Sequence, residues 1–160
     1  MLNGGECGQE SIKNMLDEAK KMFDDTDIVL VHDGNRPLVS ADIISNSISI
    51  CKQKGCAIAA IPCNDALLYS EDKIESCKQI SRDLVVRTQT PHTFFLKDLY
   101  DMHTEAKEKG ITNSVASCTL AIELGKKVYF SQGSEINLKI TVQDDLKLFK
   151  ELLKKGEKNV

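Results

Sequence analysis

The sequence predicts an α/β fold, in which helices cover both faces of a doubly wound, mainly parallel sheet. Two observations lead to this prediction. Short apolar runs alternate along the chain with longer segments of helical periodicity, which is the pattern of βαβ units. The first apolar run, Ile28–His32, is unbroken, as expected of a strand buried on both faces. Because the sequence shows neither an internal repeat nor a linker, residues 1–160 are expected to form one domain.

Helices are predicted where apolar residues recur every three or four positions. Ser40 is suited to cap the start of the second helix, and Gly55 is suited to end it. Thr141 and Asp144 have the spacing of a capping box at the start of the last helix. The predicted helices are Ser11–Phe23, Ser40–Lys54, Leu96–Lys109, Ser114–Leu124 and Val142–Lys155.

Strands are predicted from short runs of apolar and β-branched residues that end at turn-forming positions. They are Ile28–His32, Cys56–Ile61, Leu84–Thr88, Lys127–Phe130 and Leu138–Thr141. The polar stretch 64–81 between the second and third strands contains only scattered apolar residues. It is expected to form an extended arm or hairpin, which either contacts a partner subunit or is a plain surface excursion.

Composition excludes several classes of function. The net charge of −3 argues against a nucleic-acid interface, which needs a basic face. No apolar stretch has the length of a membrane span and no signal peptide opens the chain, so we expect a cytoplasmic protein without a membrane partner. The six cysteines contain no CxxC pair, which argues against a structural zinc site. We expect them to be reduced and to act as small apolar residues.

A candidate site lies where the first strand ends, in the stretch VHDGNRPLV. In open α/β sheets ligands bind at the carboxyl ends of strands, and Asp33 occupies such an end. Its carboxylate can hold Mg²⁺, which takes few protein oxygens and shares the rest with phosphates. Gly34 would let the backbone approach a ligand, and Arg36 would either pair with a phosphate or fix Asp33. An Asx-type turn made by Asp33 and Asn35, with no ligand, explains the same residues equally well.

Lys139 is a second candidate, because it lies inside the apolar run EINLKIT. Its ammonium must extend to solvent, which is the commoner outcome, or reach a phosphate. Arg82 and Arg87 flank the third predicted strand. Thr90 precedes a proline and is held extended, which suits either a ligand contact or a plain strand end. Three histidines lack metal-ligand spacing and are expected to be structural or exposed: His32, His92 and His103.

Six segments carry a further signal when they are taken in order: GGECGQES, VHDGNRP, IPCNDAL, RTQTPHTF, NSVAS and NLKIT. The second resembles the VHDxxRP motif of the sugar-alcohol-phosphate cytidylyltransferases. The others resemble that family's GGxxRxxS, arm-entry, QTPQxF, TDxAS and NIKIT segments. Each match is weak alone, but the ordered set covers nearly the whole chain. The family includes enzymes for 2-C-methyl-D-erythritol 4-phosphate, in isoprenoid biosynthesis, and for ribitol 5-phosphate, in wall or capsule polymers.

The resemblance implies a nucleotidyltransferase-like Rossmann-type fold and a magnesium-dependent reaction of CTP with a polyol phosphate, which releases pyrophosphate. By similarity, Asp33 holds Mg²⁺, Lys139 contacts the α-phosphate and Arg36 lies by the triphosphate. An arm of residues 63–82 crosses to a neighbouring subunit, which implies a homodimer. Residues implied on the polyol-phosphate side are Arg82, Thr90, Asp65 and Ala66, and those by the cytosine and ribose are Gly5, Glu6 and Ser11.

The sequence departs from the family pattern at several positions. Ala66 stands where the arm has a threonine, and Gly8 replaces the arginine of GGxxRxxS. The aspartate of TDxAS has no clear match, and Ser114 stands for its threonine. The acceptor therefore stays open, and Ala66 favours the ribitol group. Nothing corresponds to the family's glycine-rich phosphate loop, so we expect an incomplete sheet and a truncated, weakly active or inactive chain.

Two other functions stay open. In the first alternative, the chain is an interaction protein that keeps the family's fold but has lost its chemistry. In the second, it is a nucleotidyltransferase that acts on another sugar phosphate. Arg82 favours a cytidylyltransferase over the second alternative.

Overall fold

The architecture is that of a computed structural model, which describes residues 3–157 and their side chains as far as residue 154. Helices α1 to α5 span Gly8–Met22, Ala41–Lys54, Leu96–Glu108, Ser117–Glu123 and Gln143–Glu157. Strands β1 to β6 span Ile28–Val31, Cys56–Pro62, Leu67–Tyr69, Lys78–Ile80, Val86–Phe95 and Phe130–Gln132. Among residues 3–157, no helix has the length and apolar character that crossing a membrane requires.

The central sheet has four strands in the order β1-β5-β2-β6. β5 runs antiparallel to both of its neighbours, β1 and β2, whereas β2 and β6 are parallel. The predicted α/β class is confirmed, but the sheet is mixed and not mainly parallel. The reason is the connection before β5: the chain leaves β2 through a hairpin instead of a helix, and such a connection returns the chain antiparallel to the strand that it left.

Helices cover both faces of this sheet. Phe94 belongs to an apolar cluster with residues of α1, α3 and α4. Its neighbour Thr93 points to the opposite face, where its hydroxyl lies 2.6 Å from the hydroxyl of Ser47 on α2. Both faces are therefore packed, as predicted. Residues fully or almost fully buried in the cluster include Leu16, Ile58, Leu96, Leu99 and Leu120.

β1 is less buried than the sequence predicted. All four of its residues are only partly buried, because β1 forms one edge of the sheet. The prediction that this strand is covered on both faces is therefore wrong. The carboxyl end of β1 still leads directly into the stretch that contains Asp33.

Three other predicted elements are present but have different bounds. The strand predicted at Leu84–Thr88 is β5, which continues through Pro91 as far as Phe95. A proline has no N–H to give to the ladder, and the register of β2 against β5 shifts there, between Ile58 and Ala60. The strand predicted at 127–130 is β6, which begins only at its last residue, and the helix predicted from residue 114 is α4, which begins three residues later.

Predicted helix ends are largely correct. The Ser40 hydroxyl accepts a hydrogen bond from the first turn of α2, and Gly55 has a left-handed φ of +93°. At the start of α5, Thr141 is bonded to Asp145 and not to Asp144. The Asp145 carboxylate accepts a hydrogen bond from the Thr141 N–H at 2.8 Å. The capping group therefore lies one residue later than the sequence spacing indicated.

The stretch predicted to be an arm or hairpin contains the antiparallel pair β3–β4. Its turn is closed by Asp72, whose carboxylate accepts from the backbone N–H groups of Ile74 and Glu75. Leu68 is 66% exposed and Ile74 is 88% exposed. The arm, residues 63–82, therefore presents apolar side chains to solvent.

Candidate active site

Asp33 follows the end of β1 and begins a tight turn. The Arg36 N–H donates to the Asp33 carbonyl at 3.0 Å, which closes the turn of residues 33–36. The Asp33 N–H donates to Thr90 Oγ1 at 3.0 Å, so β5 fixes the start of the turn. The turn is not of the Asx type that the sequence offered as one explanation, because a backbone carbonyl closes it. The Asp33 carboxylate is left to interact with cations.

Two cations share one oxygen of the Asp33 carboxylate. Lys139 Nζ lies 3.1 Å from Oδ2, and Arg36 Nε lies 3.2 Å from the same atom. Partial burial alone would raise the pKa of Asp33, but the hydrogen bond and charge of Lys139, and then those of Arg36, outweigh it and hold the pKa below its ordinary value. Asp33 is therefore ionised at neutral pH.

The two cations differ in their freedom. The Arg36 side chain is 11% exposed, and its Nη1 also donates to the Asn137 carbonyl at 2.7 Å. The Lys139 side chain is 44% exposed. Of the two roles predicted for Arg36, the structure contains the fixation of Asp33. Lys139 is the cation of this pair that an anionic ligand can reach.

His32 joins Thr90 to the turn. Its Nε2 lies 3.0 Å from the Arg36 carbonyl, and its Nδ1 lies 3.0 Å from Thr90 Oγ1. A carbonyl only accepts, so Nε2 carries a proton, and Nδ1 shares a hydrogen bond with the Thr90 hydroxyl. That hydroxyl accepts in turn from the Asp33 N–H. His32 is therefore a structural bridge, as the sequence led us to expect.

A cavity of about 300 Å³ adjoins this cluster and includes Asp33, Gly34 and Thr90 in its wall. His92 on β5 and His103 on α3 also line it. Burial lowers the pKa of His92 to about 4, although the Asp33 carboxylate opposes this shift. Burial, aided by the charge of Lys13, lowers the pKa of His103 to about 4. Both rings are therefore neutral at pH 7, and neither supplies a positive charge to a ligand.

Of the predicted nucleoside-side residues, Gly5 and Glu6 precede α1, and Ser11 lies in its first turn. The Gly5 N–H donates to Ser11 Oγ at 2.9 Å, and the Glu6 N–H donates to Glu10 Oε2 at 2.6 Å. A Cβ on Gly5 would lie 2.5 Å from the Glu10 Cβ, so only glycine fits there. None of the three predicted residues, all of which the structure describes, lies in the wall of the cavity. Their proposed contact with CTP stays a prediction.

Arg82, Ala66 and Asp65 lie on the arm. Arg82 Nη1 donates to the Asn64 carbonyl at 3.1 Å. Arg82 and Ala66 line a separate cavity of about 310 Å³ within the arm, and Asp65 is exposed beside it. The described contacts therefore unite Asp33, Arg36, Lys139 and Thr90, but they do not bring Arg82 to Asp33 within one chain.

Asn137 is a site residue that the sequence did not reveal. It is fully buried, and its Nδ2 donates to the Thr90 carbonyl at 2.9 Å and, more weakly, to Gln89 Oε1. A signal was present: a buried amide needs hydrogen-bond partners, and Asn137 is the amide within the apolar run EINLKIT. Asn137 therefore connects β5 to the segment that carries Lys139.

The family of this chain follows from its similarity to known proteins. The family model of 2-C-methyl-D-erythritol 4-phosphate cytidylyltransferase, IspD, matches residues 1–155. The chain belongs to the IspD family. The resemblance carried by the ordered motifs is confirmed, and the family and its named relatives are cytidylyltransferases.

Individual relatives support the same assignment. A ribitol-5-phosphate cytidylyltransferase from Lacticaseibacillus paracasei is 34% identical over 98% of this chain and 68% of its own length. A 2-C-methyl-D-erythritol 4-phosphate cytidylyltransferase from Alkaliphilus oremlandii is 36% identical over 96% of this chain and 64% of its own length. The chain thus spans about two thirds of the length of these relatives, and their similar identities do not separate the two acceptors.

A solved structure supports the fold. The 2-C-methyl-D-erythritol 4-phosphate cytidylyltransferase from Thermus thermophilus matches with a TM-score of 0.83 and 30% identity, over 94% of this chain and 71% of that chain. The expected nucleotidyltransferase-like α/β fold is confirmed by this likeness.

Magnesium was expected at Asp33 of this IspD-family chain. Within residues 3–154, no group of three or more His, Cys, Asp or Glu side chains is placed to hold a metal. Asp33 itself is a single ionised carboxylate whose side chain is 30% exposed. Mg²⁺ often takes one or two carboxylates and fills its other positions with water and substrate phosphates. The site therefore fits a magnesium ion that substrate phosphates hold, and not one held by protein alone.

Proposed function

We propose that this chain takes part in cytidylyl transfer, in which CTP and a polyol phosphate give a CDP-polyol and pyrophosphate. The observation that carries the proposal is the exposed Lys139 ammonium, 3.1 Å from an ionised carboxylate at the end of β1, in a chain of the IspD family. The proposed acceptors are ribitol 5-phosphate and 2-C-methyl-D-erythritol 4-phosphate, which the relatives' names contain. CTP is a cytoplasmic metabolite, so the reaction is proposed to occur there.

The proposed reaction is a direct displacement. An oxygen of the acceptor phosphate attacks the α-phosphorus of CTP and forms a new P–O bond. The bond from the α-phosphorus to the oxygen that bridges to the β-phosphorus breaks, and pyrophosphate leaves with its electron pair. No covalent bond to the protein and no proton transfer is needed. The protein then contributes by orienting two anions and neutralising their charge.

Lys139 is proposed to exchange Asp33 for the α-phosphate. In the structure its ammonium is paired with the Asp33 carboxylate. The Lys139 side chain is 44% exposed, and an ammonium can donate strong hydrogen bonds to phosphate oxygens. Arg36 is proposed to stay with Asp33, because the Asn137 carbonyl holds its other nitrogen. A magnesium ion bound by Asp33 and the triphosphate would supply further neutralisation.

The acceptor phosphate is proposed to meet Thr90 from its own chain and Arg82 from a second copy. Thr90 supports this assignment because its side chain reaches the start of the Asp33 turn. The position of Arg82 supports the assignment as well. Arg82 lies on the exposed arm and lines a cavity that does not include Asp33, so a second copy of the chain is needed to bring it to the site. A homodimer that exchanges arms would bring the two together.

The test is a product assay on the whole chain. The chain is mixed with CTP, Mg²⁺ and each acceptor in turn, and ³¹P NMR follows the CDP-polyol and pyrophosphate signals. We expect both products in equal amounts, formed slowly as expected of a weakly active chain, with one acceptor preferred. Lys139→Met should lower the rate at least about a hundredfold, because a cation facing the developing charge is lost.

Lys147→Met is the matched control, since Lys147 is 77% exposed and pairs with Asp144 on α5. It should leave the rate unchanged. Absence of both products with either acceptor, or equal rates when UTP and a hexose phosphate are supplied, would contradict the proposal.

A further inference from the structure

Lys139 lies on a segment with no regular secondary structure. Residues 137–141, here called the Lys139 segment, contain neither helix nor strand. The strand predicted at Leu138–Thr141 is therefore wrong, because the Ile140 N–H donates at 2.8 Å to the Asn35 carbonyl of the turn instead of to a neighbouring strand. The position of the ammonium depends on the few hydrogen bonds that hold this segment.

The first of these bonds lie at Asn137. Its side chain donates to the Thr90 carbonyl at 2.9 Å, and its own carbonyl accepts from Arg36 at 2.7 Å. The amino-terminal end of the segment is thereby fixed to β5 and to the turn of residues 33–36.

The other bonds involve Asn35 and Ile140. Asn35 Nδ2 donates to the Ile140 carbonyl at 3.0 Å, while the Ile140 N–H donates to the Asn35 carbonyl at 2.8 Å. A side chain and a backbone group of one asparagine thus satisfy both backbone groups of Ile140. Only Leu138 and Lys139 lie between the two fixed residues, Asn137 and Ile140.

We propose that Asn35 is a positioning residue for Lys139: its carboxamide fixes the residue next to Lys139 and so places the ammonium beside Asp33. The consequence for ligands rests on the proposed function, in which the same ammonium meets phosphate. Asn35 occupies an unspecified position of the VHDxxRP motif, so the motif itself assigns it no role.

The physical advantage is preorganisation. Asn35 lies two residues after Asp33 in the same turn, so the bond to Ile140 ties the Lys139 backbone to the element that carries the carboxylate. A long lysine side chain loses much rotamer freedom when it binds, and a mobile backbone would add to that loss. An alanine at position 35 keeps the backbone bond but leaves the Ile140 carbonyl without its side-chain donor.

The test combines mobility with a double-mutant cycle. ¹⁵N relaxation should yield rigid backbone order parameters for residues 138–140 in the wild type, about 0.85, and values below about 0.6 in Asn35→Ala. Asn46→Ala is the control, because the Asn46 carboxamide also binds backbone, accepting from the Gln132 N–H at 2.9 Å. It should leave residues 138–140 rigid.

Binding of pyrophosphate, measured by calorimetry, supplies the second readout. Asn35→Ala should weaken it about five- to tenfold in the wild-type background, and less than about twofold in a Lys139→Met background, because the asparagine acts through the lysine. Asn46→Ala should not change it.

The outcomes separate the two claims. Rigid residues 138–140 in Asn35→Ala, or an equal fold-loss of binding in both backgrounds, would overturn the positioning role. If Asn35→Ala mobilises the segment while the wild type binds no pyrophosphate, the positioning role is supported and the proposed function fails.

Discussion

Lys139 and Asp33, which come from opposite ends of the chain, form a salt bridge with Nζ 3.1 Å from Oδ2. Arg36 approaches the same oxygen, at 3.2 Å from its Nε. The carboxylate that is expected to bind a divalent cation is therefore already occupied by two positive groups. Metal binding and phosphate binding should be linked, because an anion that draws Lys139 away makes Asp33 available.

Removing the competing lysine should strengthen metal binding in the absence of nucleotide. Lys139→Met is expected to tighten Mn²⁺ binding about twofold to fivefold, which corresponds to the strength of a partly exposed salt bridge. Water proton relaxation measures this binding directly. Adding Asp33→Asn to that variant should remove the gain, and a gain that survives Asp33→Asn would place the metal elsewhere.

Acid should destabilise the protein through His92 and His103. Burial lowers the pKa of each ring to about 4, from an ordinary value of 6.5. The folded chain therefore binds fewer protons than the unfolded chain between these values, so stability is complete above pH 6.5 and is lost as the pH falls towards 4. Between pH 7.5 and pH 5 the loss should be about 2 kcal/mol per histidine. Urea unfolding at these pH values measures it.

His103→Leu isolates one of the two contributions. The charged groups that affect the His103 ring are Lys13 and Asp17, which act in opposite directions, and the substitution leaves the groups around His92 in place. The leucine variant should lose about half of the pH dependence. An unchanged dependence would show that His103 is not held neutral in the folded chain.

The fold was predictable where local chemistry decides it. Ser40 and Gly55 were placed at the ends of α2 because a capping hydroxyl and a left-handed glycine act within one turn. The direction of β5 was not predictable, because alternation of strands and helices says nothing about a strand that returns through a hairpin. The position of β1 at the sheet edge depends on neighbours that an apolar run does not identify.

The site was predictable in part. Asp33, Arg36 and Lys139 were singled out as charges at strand ends or in apolar surroundings, and the structure brings them together. Asn35 and Asn137 were missed as positioning groups, because their partners are backbone carbonyls far away in sequence. Residue type and spacing do not encode such partners; only the folded chain brings them into contact.

Asn137 should matter more for stability than an exposed asparagine does. Asn137→Ala removes the amide that donates to the Thr90 carbonyl at 2.9 Å, and the buried acceptor is left without this donor. We expect a loss of about 1–3 kcal/mol in the free energy of unfolding. Asn113→Ala, at an exposed position, is the control and should change it by less than about 0.5 kcal/mol. Equal effects in urea unfolding would contradict the role given to the buried amide.

Gly133 precedes the Lys139 segment and should not tolerate a methyl group. A Cβ there would lie 2.7 Å from Gln89 Oε1 and 2.9 Å from the carbonyl oxygen of Ala60. The glutamine is 6% exposed and the carbonyl belongs to β2, so neither has room to withdraw. Gly133→Ala should therefore cost about 1–3 kcal/mol of stability, as overpacking does.

Gly8→Ala is the matched control, since a Cβ at Gly8 meets no atom within 4 Å and alanine favours the helix that begins there. Urea unfolding should separate the two variants, and equal stability would mean that β2 yields to the added methyl group.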